Sequence, residues 1–90
     1  MRLERPQNPE KKYRAVFSDG THTEFGSAGM DDFTKTHDKE QRKRYINRHR
    51  AHENWTDGKS AGALSRFILW GDSTSVQVNL MNYKLRFPNL

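Results

Sequence analysis

An α+β fold, a β-hairpin followed by three helices (ββααα), is what this chain predicts, and three observations carry it. Residues 12–18 alternate apolar and polar up to an Asp-Gly pair, residues 39–53 favour helix behind a capping signal, and a block at 60–71 is apolar nearly all round. Ninety residues, about a third of them hydrophobic, supply one core and no second one. Five Phe, three Tyr and two Trp give that small core its area. The expected division is an extended basic arm at 1–11, a single compact domain at 12–87 and a tail at 88–90.

Residues 1–11 are polar, contain Pro6 and Pro9, and show no apolar period. Tyr13, Ala15 and Phe17 then alternate with Lys12, Arg14 and Ser18, the period of a half-buried strand. Asp19-Gly20 suits a two-residue type I′ turn, and Thr21, Thr23 and Phe25 form the returning strand, so a hairpin is expected at 12–26. The connector Gly26-Ser27-Ala28-Gly29 lacks the Lys-Ser/Thr ending of a phosphate loop and reads as a turn.

Asp38 with Gln41 has the form of a capping box, and a helix follows to about Glu53. With Tyr45 at zero on the helical wheel, His49 falls at roughly 40° and His52 at roughly −20°, an inward stripe with Ile46 at its edge. Lys39, Lys43 and Arg50 gather on one flank of it, Arg44 and Arg48 on the other. Asn54 to Gly58 reads as a turn, with Trp55 a candidate interface residue, while Trp70 suits the core. Ser60 caps a second helix that Gly71 ends, and the trio Ala61-Gly62-Ala63 signals close approach of a neighbouring element. From Val76 to Phe87 the apolar residues fit two strands or one helical face; Asp72 or Ser73 as a cap and Pro88 as a stop favour a helix at about 74–86.

The charge is concentrated. Lys39, Arg42, Lys43, Arg44, Arg48 and Arg50 stand against Glu40 alone, so this segment's net +5 equals that of the whole chain. An anionic partner follows, with nucleic acid the expected one; Lys11, Lys12 and Arg14 are secondary contacts. No dedicated base-stacking residues stand out beyond Tyr13 or Tyr83, so contacts to phosphate with little sequence preference are expected.

Other chemistries find less support. Asp31, Asp32, His37, Asp38, His49, His52 and Glu53 are close in sequence and allow a His/carboxylate metal-dependent nuclease to be imagined, but no HExxH is present. The expectation is a protein without catalytic activity, metal, cofactor or small-molecule substrate. Cysteine is absent, which excludes disulfides and fits a reducing interior. No apolar run approaches the ~20 residues that cross a bilayer, and no signal segment is visible, so no membrane partner is expected.

The combination Phe25-Gly26, Gly29, Asp32-Phe33-Thr34, His37-Asp38, Arg42, Tyr45-Ile46, Arg48-His49, Glu53-Asn54-Trp55, Ala61-Gly62-Ala63-Leu64-Ser65-Arg66, Leu69-Trp70, Tyr83 and Arg86-Phe87 resembles a family of uncharacterised small proteins. That family is encoded by nucleocytoplasmic large DNA viruses of algae and amoebae. The resemblance spans about residues 11–87 and implies a viral origin and a helical last segment; it carries over no catalytic residue. It sets host cytoplasm or nucleus as the expected location and adds a second reading, a structural or assembly protein packaged in the virion.

Overall fold

The computed structural model describes all residues, 1–90. An antiparallel sheet of three strands, β1 (Arg2–Glu4), β2 (Lys11–Val16) and β3 (His22–Ser27), packs against helices that follow it in sequence. These are α1 (Phe33–Thr36), α2 (Lys39–Arg50), α3 (Ala61–Leu64) and α4 (Val76–Arg86). A π-helical stretch, Ser65–Leu69, continues α3. The chain is thus a small α+β domain with one strand and one short helix beyond the expected hairpin and three helices.

The extra strand comes from the arm. Arg2, Leu3 and Glu4 pair with Val16, Ala15 and Arg14, so these residues belong to the sheet and are not a free extension. Met1 and Leu3 pack against the core, which gives this edge an apolar anchor that a single isolated Leu did not advertise. Farther along, the backbone N–H groups of Gln7 and Asn8 donate to the Glu24 carboxylate at 2.7 and 3.1 Å. The Gln7 bond, chiefly, holds that carboxyl below its usual range. The last residues are engaged too, since Ser18 N–H donates to Leu90 O at 2.7 Å.

The hairpin forms, with a different turn. Phe17 N–H donates to Thr21 O and Gly20 N–H to Phe17 O, leaving a loop of Ser18, Asp19 and Gly20 in which Gly20 alone has positive φ, 86°. A type I′ turn needs positive φ at both central residues; this is the longer loop whose last residue is left-handed. Asp19 Oδ1 accepts from Thr21 N–H, and Lys59 bonds the same carboxylate from across the chain. Those bonds draw its carboxyl far below the usual range, Lys59 contributing most.

Asp38 caps α2 by accepting from the N–H groups of Glu40 and Gln41 at 3.0 and 3.1 Å. The reciprocal half of the capping box is missing, because the Gln41 side chain accepts from Thr36 Oγ1 instead. His37, at φ 58°, ends α1 in the left-handed region and lets Asp38 begin the next helix at once. Ser60 caps α3 as expected, accepting from Ala63 N–H. For α4 the cap is Ser75 rather than Asp72 or Ser73.

Twelve buried side chains form the core, among them Phe17, Phe25 and Phe33 with Tyr45, Ile46, Leu64, Ile68, Leu69, Trp70, Leu80 and Tyr83. Two polar groups are buried with them. Asn79 donates to Ile68 O at 2.8 Å and Ser73 O at 2.7 Å and accepts from Ser73 N–H at 3.0 Å, so it ties the end of the π-helical stretch to α4. Asp32 accepts from Thr34 N–H at 2.9 Å and pairs with Lys12. Gly71 lies where a Cβ would stand 2.4 Å from Phe67 O, so close packing, not turn geometry, requires glycine there.

A candidate nucleic-acid interface and an adjoining cleft

Helix α2 turns Tyr45 and Ile46 inward and leaves Lys39, Lys43, Arg44, Arg48 and Arg50 exposed. None of these five takes part in any of the eight ion pairs of the molecule. Elsewhere several cations are matched, Lys59 by Asp19, Lys35 by Asp31, Lys12 by Asp32 and Arg14 by Glu24, while Arg5, Lys11, Lys84 and Arg86 stay unpaired and scattered. Helix α2 therefore carries the largest group of unpaired cations on any one element, and its own Glu40 pairs with none of them.

Three residues expected on that surface do other work. Arg42 points inward: its Nε donates to Trp70 O at 3.1 Å and Gly71 O at 3.0 Å, and Nη2 bonds Asp72 at 2.8 Å. Its guanidinium also lies 5.6 Å from the Phe33 ring. Arg66 donates to the same Trp70 carbonyl at 3.0 Å, so two cations face the C-terminal carbonyls of the π-helical stretch. Burial first, then Arg42, draws the Arg66 guanidinium below its usual range. Lys12 is spent on buried Asp32, and half-buried Arg14 lies between Glu4, Glu24 and His22. Of the secondary contacts only Lys11 stays unpaired and accessible.

The histidine stripe is also cut short. α2 ends at Arg50, so His52 sits in the turn beyond it and is exposed, while His49 is half-buried. His49 stacks on Tyr45 at 4.1 Å between centroids, and Tyr45 stacks on Trp70 at 4.2 Å. Both neighbours lie nearly parallel to Tyr45, so they occupy its opposite faces; two rings on one face at those distances would overlap. Burial pushes the Tyr45 hydroxyl well above its usual range, with Glu53 adding to the effect. His49 Nδ1 donates to Glu53 Oε1 at 2.9 Å, and Trp55 Nε1 donates to Glu53 Oε2 at 2.8 Å. Trp55 is consequently half-buried, edge-on to Phe67 and under Arg66, and offers less of an interface than its turn position suggested. No three His, Asp or Glu groups come close enough together to hold a metal ion.

Beside α2 the sheet and the α3–π segment leave a cleft of about 320 Å³. Lys11, Arg48, His49, Glu53, Ser65 and Met30 are among its lining residues, over a floor that includes Phe25 and Leu69. Gly26, at φ 78°, forms part of its wall where a Cβ would stand 2.8 Å from Leu69 and 3.1 Å from Lys12. Gly62 gives room to Glu53 in the same way, which is the close approach that the small trio signalled.

A family model covers residues 1–49, from β1 through all but the last residue of α2, and so more than half of the chain. The chain belongs to DUF5754, a family of unknown function. The matched span carries the sheet, Asp32, the basic face of α2 up to Arg48, and the Tyr45–His49 pair, whereas Glu53 and Trp70 lie outside it. No curated protein and no solved structure matches this DUF5754 member.

Proposed function

We propose that this DUF5754 protein is a non-enzymatic binder of polyanions, nucleic acid foremost, and that it works in a large DNA virus, in host cytoplasm or nucleus. One observation carries the reading: Lys39, Lys43, Arg44, Arg48 and Arg50 are exposed on one short helix, and none has a carboxylate partner. Binding would proceed by release of counterions from phosphates, with little sequence preference. Reversing Lys43→Glu together with Arg50→Glu tests it. Duplex affinity should fall by about tenfold or more and by the same factor for unrelated sequences. Unchanged affinity would remove α2 from the interface.

A second reading, a structural or assembly protein of the virion, is favoured by α4. Val78, Met81 and Leu85 share one face of that helix and are 44%, 67% and 81% exposed. Stoichiometric presence in purified particles, measured by mass spectrometry, would support this reading, and absence would remove it.

A further inference from the structure

We propose that the cleft between α2, the sheet and the α3–π segment is a second ligand site, adjoining the basic face of α2 and sharing Arg48 with it, for an anion that carries a planar ring, of the class of a nucleoside monophosphate. It goes beyond the reading above and stands whether or not α2 binds a duplex. The size fits, since about 320 Å³ falls within the range of small-ligand sites, about 300–1,000 Å³.

Recognition of the anion rests on the charge balance of the lining. Its three carboxylates are all engaged: Asp32 by Lys12, Asp31 by Lys35 at 3.7 Å, and Glu53 by His49 and Trp55. Lys11 and Arg48 have no such partner, and both line the cleft. They are the two positive charges left for a phosphate.

Recognition of a ring rests on the aromatic stack. Trp70 covers one face of Tyr45 and His49 the other, so His49 ends the stack, and its side chain is 33% exposed in the cleft. A ligand ring laid on His49 would extend the row. The imidazole is held for this purpose, because Glu53 fixes Nδ1 and Trp55 fixes Glu53. Nε2 remains as the ring's other polar atom, and Ser65 also lines the cleft. Ser65 and Leu69, the two ends of the π-helical stretch, both face this cleft, and π-helical turns recur at functional sites. The two glycines keep the space open, since Gly26 brings bare backbone to the wall and Gly62 lets Glu53 withdraw.

The phosphate and ring could belong to a free nucleotide or to an unpaired residue of a strand. The test is an NMR titration of the full chain with adenosine monophosphate, following the His49 and Tyr45 ring signals. Saturable shifts of both are expected. Lys11→Glu, and Ala61→Phe at the exposed edge of the cleft, should each weaken the nucleotide by about tenfold or more. A single-stranded oligonucleotide that displaces the nucleotide marks a strand residue as the ligand, and one that does not marks a free nucleotide; either supports the site. The proposal is overturned if neither ring signal moves, if both variants retain wild-type affinity, or if inorganic phosphate binds as tightly as the nucleotide. Failure of duplex binding alone would count against the α2 reading and leave this one standing.

Discussion

Asp32 shows how much a single side chain does here. Only 1% exposed, it caps α1 through Thr34 N–H and pairs with Lys12, so it joins the first helix to the central strand. Breaking a buried pair strands the remaining charge, and Asp32→Ala should cost about 3–5 kcal/mol in denaturant unfolding. Tyr83 is comparable on the other side of the core, its hydroxyl donating to Gly58 O at 2.6 Å. Burial pushes the hydroxyls of Tyr45 and Tyr83 well above their ordinary value of 10.0. The folded state thus favours the neutral phenol. Its contribution is complete below pH 10 and is lost as pH rises toward the folded-state values. Alkaline titration followed by phenolate absorbance should show these two rings ionising together with unfolding; ionisation in the still-folded protein would refute their burial.

Among the elements, α2 divides most clearly between structure and surface. Arg42 anchors it to the carbonyls of Trp70 and Gly71, while Lys43, the next residue, points outward without a partner. Arg42→Ala should therefore cost about 2–3 kcal/mol of stability, because the Gly71 carbonyl loses its charged donor and the Trp70 carbonyl keeps only Arg66. Lys43→Ala should change stability by less than about 0.5 kcal/mol and weaken only binding. Equal thermal stability of the two variants would contradict the division. The sequence could not separate them. Both are cations in one basic run, and Arg42's carbonyl partners lie 28 and 29 residues away. Signals that act locally were legible: Asp38 and Ser60 cap their helices, and Asp19-Gly20 turns the hairpin. Signals that need a distant partner were not, as with β1, whose pairing with β2 is defined only once the sheet exists.

For the molecule as a whole, ion pairs engage most carboxylates and leave the densest group of unpaired cations on α2, with Arg5, Lys11, Lys84 and Arg86 unpaired elsewhere. The sequence put that charge on α2, and Lys39, Lys43, Arg44, Arg48 and Arg50 are exposed there, yet the same reading counted Arg42, Lys12 and Arg14 as surface contacts that the fold employs internally. The cleft was invisible to the same reasoning, because its lining gathers residues from β2, β3, α2 and the α3–π segment. Likewise the exposed Val78–Met81–Leu85 face became apparent only when α4 buried Leu80 and Tyr83 and left the others outside. The charged and apolar faces make different demands, since salt screens contacts made by the first and does not weaken those made by the second.

Duplex binding measured as a function of salt concentration tests the central claim most directly. Three to five phosphate contacts from Lys39, Lys43, Arg44, Arg48 and Arg50 predict a log–log slope of about −3 to −4.5, made shallower by about 0.9 for each of these cations removed. A slope near zero, or one unaffected by Lys43→Glu, would contradict the account.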